Sequence, residues 1–312
     1  MCMSKTAFVF PGQGSQSVGM LADLAEQYPQ IQQTFSEASD ALGYDLWELV
    51  QSDPENRLNQ TQFTQPALLT ASVAVFRLLI SLGAKRPEFM AGHSLGEYSA
   101  LVCSGVLSLT DAVKLVQARG QFMQEAVPEG EGAMYAIIGL NDAAILEACA
   151  KAQESTAQVV AAVNFNSPGQ VVIAGSKEAA ESAALLCKEA GAKRALPLSV
   201  SVPSHCELMK PAAERLASML ENVDFATPEC SVVNNVDVEV KTDAVDIKDA
   251  LTRQLYRPVR WTQTVEFLRD NGVEHIAEIG PGKVLSGLVK RIDKTLSSES
   301  VNTPDSVSNS VN

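Results

Sequence analysis

A serine stands between two glycines in the segment GHSLG, residues 92–96. This G-x-S-x-G spacing is typical of a nucleophile elbow, a tight turn from a strand into a helix that exposes the serine hydroxyl at the end of a sheet. Glycine suits the flanking positions because such a turn leaves little space for Cβ atoms. The same residues could instead form a helix cap, so the pattern alone leaves Ser94 open between a nucleophile and a capping residue.

A serine nucleophile needs a base, and histidine is the usual base near neutral pH. The chain has three histidines. His93 adjoins Ser94, so its side chain should leave the backbone in another direction, and His275 begins a predicted strand, where a solvent-facing or capping role is common. His205 lies in SVPSH, where a predicted strand gives way to a helix, and loops of this kind form the crevice of open α/β sheets. We therefore expect His205 to be the base. No acid stands out as a third member, so a backbone or amide carbonyl could orient the imidazole.

An oxyanion formed at Ser94 would need N–H donors. One candidate is the N–H of Leu95, and a second could come from the turn FPGQGSQ, which follows the first predicted strand and has Gln13 at its apex. The glycines of this turn also allow a dinucleotide fingerprint. That alternative is weakened because Ser17 occupies the third glycine position and no clear strand-end acid follows about twenty residues later.

Arg119 lies within the apolar stripe of a predicted amphipathic helix over residues 109–126. It is three or four residues from Leu115, Val116 and Phe122, which places it on their face of the helix. A guanidinium on a buried face needs an anionic partner. That partner could be an internal Asp or Glu, or a substrate carboxylate held by both arms of the guanidinium.

Strand and helix patterns alternate along the chain, which predicts an α/β fold with a mainly parallel sheet. Outside the middle of the chain the predicted strands are 6–10, PEFMAGHS (87–94), 231–234 and 274–279. The predicted helices are about 19–50, 66–82, 96–104, 109–126 (capped by Ser108 or Thr110), 207–221, 246–256, 261–271 and 282–293.

The middle of the chain has a different pattern. It predicts strand 133–139, helix 141–153, strands 158–164 and 170–175, helix 177–190 and strand 193–199. This β-α-β-β-α-β order is that of a ferredoxin-like unit. We therefore predict a discontinuous large α/β domain over 1–127 and 200–294, a small ferredoxin-like subdomain over 128–199, and a disordered tail over 295–312, which is rich in serine and lacks apolar periodicity.

Composition excludes several classes of protein. The formal net charge of −13 argues against a nucleic-acid-binding protein and against attraction to an anionic membrane surface. No run of apolar residues is long enough for a membrane span, and the N-terminus lacks the features of a signal peptide. Six scattered cysteines favour reduced thiols over a disulfide framework or zinc site. We expect a cytoplasmic protein.

Taken in order, the motifs of the chain resemble those of the malonyl-CoA:acyl-carrier-protein transacylases of bacterial type II fatty-acid synthesis. The resemblance covers residues 5–292 and rests on FPGQGSQ, TQPAL, GHSLGEYSAL, QARG, GAM, NSPGQVVIAG, VPSH and EIGPG. It implies a hydrolase-like α/β domain with a ferredoxin-like insertion.

The resemblance also implies roles for individual residues. The catalytic roles fall on Ser94 as nucleophile, His205 as base, Gln13 and the N–H of Leu95 as the oxyanion hole, and Gln254 of TRQLYRPV, whose backbone carbonyl would orient the histidine. The substrate-binding roles fall on Arg119, which would bind the malonyl carboxylate, and on Gln13, Gln65 and His93.

The implied activity is transfer of a malonyl group from CoA to the phosphopantetheine thiol of acyl carrier protein, through a malonyl-serine intermediate. Neither a metal nor a redox cofactor is expected. The expected partners are malonyl-CoA and acyl carrier protein, and the chain is expected to be a monomer. Two alternatives remain: a thioesterase with the same elbow, in which water deacylates the enzyme, and a non-catalytic acyl-binding subunit.

Overall fold

The computed structural model describes residues 5–198 and 202–311, and within them the chain forms two β-sheets with helices packed around them. The strands are β1 Lys5–Phe10, β2 Phe89–Gly92, β3 Gly132–Ile138, β4 Val160–Ser167, β5 Gln170–Ser176, β6 Arg194–Pro197, β7 Ser231–Val233, β8 Val273–Ile279 and β9 Ser297–Val301. The helices are α1 Ala22–Gln27, α2 Gln30–Leu42, α3 Leu46–Ser52, α4 Thr61–Ser81, α5 Gly96–Cys103, α6 Leu109–Ala126, α7 Asp142–Thr156, α8 Lys177–Glu189, α9 Lys210–Leu220, α10 Ala244–Gln254, α11 Trp261–Asp270, α12 Val284–Ile292 and α13 Pro304–Val311.

The larger sheet is parallel throughout and has the strand order β7-β2-β1-β8-β9. Its central strands are apolar because helices cover both faces of the sheet, as is usual for parallel sheets. Phe10 of β1 pairs with Gly92 of β2, so these two strands end side by side. The turn after β1 and the GHSLG segment after β2 therefore lie at the same edge. The predicted mixture of helices and strands with a parallel sheet is confirmed.

The smaller sheet is antiparallel, with the order β4-β5-β3-β6, and α7 and α8 connect its strands. The predicted strand 193–199 is shorter in the structure, where β6 is Arg194–Pro197, and its last predicted residue lies outside the described residues. Backbone hydrogen bonds join β4 of the smaller sheet to Val259, which lies between α10 and α11: the N–H of Val259 donates to the carbonyl of Val163 (2.8 Å), and the N–H of Phe165 donates to the carbonyl of Val259 (3.0 Å).

Helix α4 is the long core helix of the larger sheet. It begins at Thr61, five residues before the predicted start, and contains Pro66 in its interior. Among the described residues it is the one helix whose length and composition would allow it to cross a membrane, but 83% of its most apolar window is buried inside the protein. Its apolar composition therefore reflects packing in the core.

Several predicted boundaries differ from the structure. The helical stretch predicted over 19–50 is divided into α1, α2 and α3, because Pro29 starts a new helix and Gly43 ends α2 in the left-handed conformation (φ 78°). The predicted helix 207–221 begins with a 3-10 turn, Glu207–Met209, before α9. Ser108 is the cap of α6, since its side chain accepts a hydrogen bond from the N–H of Asp111 (3.0 Å).

The prediction of a disordered tail is wrong. Residues 297–301 form β9, which pairs in parallel with β8, and residues 304–311 form α13. Val301 and Val307 are fully buried in the main core. Leu296 is buried in a second apolar cluster, and Val311 packs against the main core. Polar contacts add to these, among them that of Asn302, whose side-chain N–H donates to the carbonyl of Gly282 (2.6 Å). These few apolar residues are separated by polar ones, so the segment shows no apolar periodicity from which its structure could be predicted.

Candidate active site

Ser94 lies at a strand-to-helix turn between β2 and α5. Its φ of 52° is in the left-handed region, which a non-glycine residue seldom adopts. Both flanking glycines are required: a Cβ at Gly92 would overlap the carbonyl of Gly96, and a Cβ at Gly96 would overlap the carbonyl of Phe10. Leu95 is the N-cap residue of α5, and no side chain caps this helix. The segment is therefore an elbow and not a serine helix cap.

The hydroxyl of Ser94 contacts His205. Ser94 Oγ lies 2.8 Å from His205 Nε2, and His205 Nδ1 lies 2.7 Å from the backbone carbonyl oxygen of Gln254. A carbonyl can only accept, so Nδ1 carries the proton and Nε2 is free to accept from the serine. The carbonyl thus occupies the place that a carboxylate takes in a Ser-His-Asp triad.

His205 is held in place and kept neutral by its surroundings. Its φ is 66°, and its N–H donates to the carbonyl of Leu255 (3.0 Å), so two consecutive carbonyls at the end of α10 fix this residue. Burial, and after it the positive charge of Arg119, lowers the pKa of His205 to about 3. The imidazole is therefore a neutral acceptor at physiological pH.

Arg119 is 1% exposed, and its guanidinium points to the serine. It donates to Gln65 Oε1 (2.8 Å), to Gln254 Oε1 (2.9 Å) and to Ser94 Oγ (3.2 Å). All three acceptors are uncharged, and within the described ranges no Asp or Glu forms an ion pair with Arg119. Burial lowers its pKa, but an arginine remains charged in proteins. The alternative of an internal ion pair is not what the structure contains.

A close approach of two helices brings Arg119 to this position. A Cβ at Gly120 would lie 2.7 Å from the Cα of Gln62 and 2.7 Å from the carbonyl oxygen of Thr61. Only glycine therefore lets α6 pack against the first turn of α4. The same contact places Arg119 beside Gln65, which is fully buried on α4.

The turn after β1 packs against the elbow. A Cβ at Gly12 would lie 2.5 Å from the carbonyl oxygen of His93. The side chain of Gln13 is exposed and donates to Thr61 Oγ1 (3.2 Å), so it is directed towards α4. Leu95 precedes α5, and the first N–H groups of a helix have no acceptor within the helix. The turn does not lead directly into a helix, since α1 begins at Ala22, which argues against the dinucleotide fingerprint.

The other two histidines do not serve Ser94. His93 Nε2 lies 2.8 Å from Asn166 Oδ1 on β4, and its ring packs on Trp261 with centroids 5.7 Å apart. Burial lowers the pKa of His93. His275 pairs with Thr6 in the sheet, about 13 Å along β1 from Phe10 at 3.3 Å per residue, and contacts Ser297 and Glu299.

Two buried residues at the elbow were not predicted from the sequence. Glu97 Oε2 accepts from the N–H of Asn235 (2.9 Å) and from Gln254 Nε2 (2.8 Å). Asn235 Oδ1 accepts from the N–H of Ser94 (2.7 Å). Glu97 was visible only as part of GHSLGE, and the sole signal for Asn235 is its place just after β7, at the same sheet edge as the elbow. Among the described residues, no group of three or more His, Cys, Asp or Glu could hold a metal ion.

Comparison with known proteins places almost the whole chain in one family. The model described as "Acyl transferase domain" matches residues 7–308. This match reaches residue 308 and so includes most of the C-terminal segment, which the sequence motifs had left outside the resemblance.

Three relatives show how close the similarity is. A malonyl CoA-acyl carrier protein transacylase from Haemophilus influenzae is 65% identical over 301 residues, which are 96% of each protein. The structure of an acyl carrier protein S-malonyltransferase from Vibrio cholerae is 64% identical with a TM-score of 0.96, over 98% of this chain and 99% of that one. A malonyl transacylase solved in complex with its type II polyketide acyl-carrier protein is 61% identical with a TM-score of 0.97, over 99% of each chain.

Proposed function

The chain belongs to the acyl transferase family, among the malonyl CoA-acyl carrier protein transacylases, and on this premise we propose how its residues perform the reaction. The enzyme moves a malonyl group from CoA to acyl carrier protein for fatty-acid synthesis. The observation that carries the proposed mechanism is Arg119, a buried cation that forms no ion pair with a described Asp or Glu and whose Nη2 lies 3.2 Å from Ser94 Oγ.

Acylation begins with proton transfer from Ser94 to His205. As Nε2 of His205 takes the proton, Ser94 Oγ attacks the thioester carbonyl of malonyl-CoA, and the carbonyl oxygen becomes an oxyanion. The oxyanion accepts hydrogen bonds from the N–H of Leu95 and from the backbone N–H of Gln13. The backbone of Gln13 takes this role because its side chain is hydrogen-bonded to Thr61. The intermediate then expels the CoA sulfur, which takes the proton from His205 and leaves as a thiol. The product is a malonyl ester of Ser94.

Arg119 selects the substrate. Its guanidinium is held by the uncharged side chains of Gln65 and Gln254, so a malonyl carboxylate would be its first anionic contact. A planar guanidinium binds a carboxylate through two parallel hydrogen bonds. His93 borders the same edge of the sheet, and we assign it and Gln65 to the wall of the substrate site.

Transfer repeats these steps with a different nucleophile. The phosphopantetheine thiol of acyl carrier protein gives its proton to His205 Nε2 and attacks the malonyl ester. Ser94 leaves with a proton from His205, which restores the free enzyme. Every step is a proton transfer or an acyl transfer, so the mechanism requires no metal or redox cofactor.

The same proposal covers the organisation of the chain. We assign a hydrolase-like domain to residues 1–127 and 200–294, extended by 295–311 because β9 pairs with β8, and a ferredoxin-like subdomain to 128–199. The parallel sheet with its elbow supports the first assignment, and the βαββαβ element order supports the second. We also propose a cytoplasmic location, where CoA thioesters and reduced thiols coexist; the five cysteines of the described part are free.

Intact mass spectrometry after brief exposure to malonyl-CoA tests the mechanism. The wild-type protein should gain one malonyl group, on Ser94, and Ser94→Ala should gain none. Stoichiometric labelling of Ser94→Ala would overturn the assignment. Adding acyl carrier protein should then move the group to its thiol faster than water releases it; a predominance of hydrolysis would indicate a thioesterase.

A further inference from the structure

The peptide of Ser94 is held on both sides by amide side chains. Its N–H donates to Asn235 Oδ1 (2.7 Å), and its carbonyl accepts from Gln254 Nε2 (3.1 Å). Asn235 Nδ2 also donates to the carbonyl of Gly92, two residues earlier (2.6 Å). The Asn235 amide therefore spans the turn, with one atom on each side of it.

These contacts lie where the backbone is strained. A positive φ at a residue with a side chain costs of the order of 1–3 kcal/mol and persists only when its surroundings enforce it. Ser94 has a φ of 52°. The two hydrogen bonds of Asn235 are the side-chain contacts that the described structure gives to the backbone of Gly92 and to the N–H of Ser94, so they are well placed to enforce this conformation.

Glu97 connects Asn235 to Gln254. One carboxylate oxygen, Oε2, accepts from the backbone N–H of Asn235 and from Gln254 Nε2 (2.9 and 2.8 Å). The other end of the Gln254 amide, Oε1, accepts from Arg119. This amide can have only one orientation, since the guanidinium requires an acceptor and the carboxylate requires a donor. Gln254 also presents its backbone carbonyl to His205.

We propose that Glu97 and Asn235 are positioning residues: Asn235 fixes the strained peptide of the nucleophile, and Glu97 fixes Asn235 and Gln254 relative to each other. Neither residue contacts the reacting atoms. Through them Ser94, His205 and Arg119 acquire one common alignment. The inference rests on the proposed role of Ser94. Burial raises the pKa of Glu97 to about 7, although the hydrogen bonds from Gln254 and Asn235 act in the opposite direction.

The two residues should affect different kinetic quantities. Asn235→Ala releases only the elbow, which every acyl group uses, so the acylation rate at saturating thioester should fall by the same factor for malonyl-CoA and acetyl-CoA. Misplacement of a reacting group by about 1 Å can cost about 10²-fold. Glu97→Ala also releases Gln254 and with it Arg119, so it should in addition raise the KM for malonyl-CoA but not for acetyl-CoA.

Rapid-quench measurement of acyl-enzyme formation, normalised to the acylatable fraction, tests this proposal. Glu97→Gln keeps an acceptor oxygen for both donors and should recover most of the rate lost in Glu97→Ala. The matched control is Glu278→Gln, because Glu278 is also fully buried and accepts from two backbone N–H groups, those of Leu285 and Ser286, outside this network. It should change the melting temperature and leave the acylation rate unchanged.

Two results would overturn the proposal: a wild-type acylation rate in Asn235→Ala, or a Glu97→Gln enzyme as slow as Glu97→Ala. Should Asn235→Ala not fold, the acylation rate of Asn235→Asp is measured instead, since this variant keeps the acceptor for the N–H of Ser94 and loses the donor to the carbonyl of Gly92. A wild-type acylation rate in Asn235→Asp would then overturn the proposal. Failure of the underlying mechanism would look different, because wild-type enzyme would then form no acyl-Ser94.

Discussion

Arg119 Nη2 lies 3.2 Å from Ser94 Oγ, so the buried cation and the nucleophile are in direct contact before any substrate is bound. The serine oxygen accepts from the guanidinium and donates to His205, 2.8 Å away on its other side. One hydroxyl therefore meets both the group that would recognise the acyl chain and the group that would activate the attack. If Arg119 binds the carboxylate of a malonyl group, the thioester carbonyl of the same group lies near Ser94, because only a short chain of atoms separates the two ends of the malonyl group.

Arg119→Ala should lose malonyl transfer steeply and retain acetyl transfer. With malonyl-CoA the substitution leaves a desolvated carboxylate without a partner, which costs about 3–5 kcal/mol and hence a factor of hundreds or more in kcat/KM. An acetyl group has no carboxylate and avoids this cost. Measuring kcat/KM with both thioesters checks the inversion.

The exposed Arg215, paired with Glu125, supplies the control for this experiment. Arg215→Ala should change neither kcat/KM value. Equal losses with both thioesters in Arg119→Ala, together with a lower melting temperature, would instead indicate that Arg119 is structural.

His205 should remain an active base well below pH 6.5. Its folded-state pKa is lowered to about 3, so the neutral imidazole persists as pH falls from 7 to 5, where an ordinary histidine would become protonated. Acylation by acetyl-CoA should consequently show no loss with a midpoint near 6.5. His205→Ala should lower acylation by about 10²–10⁴-fold at every pH in this range.

Glu97 is the buried group of the site that titrates near neutral pH, because burial raises its pKa to about 7; the charge of Arg119 acts to lower this pKa and that of Asp237 to raise it. A rate change centred near pH 7 that disappears in Glu97→Gln would belong to Glu97. A midpoint near 6.5 that survives in Glu97→Gln would contradict the lowered pKa of His205.

Motifs predicted the residues of the site better than they predicted the contacts between them. The elbow glycines, the position of His205 after a strand, and Arg119 within an apolar stripe each leave a local signal. Gln254 was chosen by resemblance for its backbone carbonyl, and the structure adds that its side chain contacts Arg119, Ser94 and Glu97. No local pattern could show this, because the three partners lie on different segments.

Asn235 and the C-terminal segment were missed for related reasons. Asn235 follows a strand of three residues and acts through one amide, so it leaves neither periodicity nor a motif. The strand β9 has the sequence SSESV, in which serines satisfy hydrogen bonds at a sheet edge and only Val301 enters the core. Hydrophobic periodicity detects burial of apolar faces and does not detect anchoring by polar contacts.

Gly120→Ala should impair malonyl transfer although alanine favours helices. The added Cβ would contact the backbone of α4 at 2.7 Å, and backbone cannot yield as a flexible side chain does. We expect α6 to move away from α4, which separates Arg119 from Gln65. The net destabilisation should be about 1 kcal/mol, because overpacking costs about 1–3 kcal/mol and the higher helix propensity of alanine offsets about 1 kcal/mol of this. Thermal melts and kcat/KM for malonyl-CoA measure both effects.

Gly287 of α12 is the matched control for Gly120, because a Cβ there would meet nothing within 4 Å. Gly287→Ala should stabilise the protein by about 0.5–1 kcal/mol and leave kcat/KM unchanged. If Gly120→Ala behaved in the same way, the close approach of α4 and α6 would not be what positions Arg119.

Truncation before residue 296 should destabilise the protein, in contrast to what its polar composition suggests. The deletion exposes the edge of β8 and removes Val301 and Val307, each fully buried. Burial of a valine contributes about 1.5–3 kcal/mol, so the two together account for about 3–6 kcal/mol as an upper estimate, against a typical total of about 5–15 kcal/mol.

The point variant Val307→Ala should lower the melting temperature without changing activity. We expect it to cost about 2 kcal/mol, because it removes two methyl groups, equivalent to two CH₂ units at about 0.8 kcal/mol each, and leaves a small cavity. Its control is Val245→Ala, at a valine that is 78% exposed on α10 and should melt like wild type. Within the described residues neither the C-terminal segment nor Val245 contacts Ser94, so acylation per folded molecule should be retained in both point variants. A truncated protein or a Val307→Ala protein with the wild-type melting temperature would show that β9 and α13 do not dock on the core in solution.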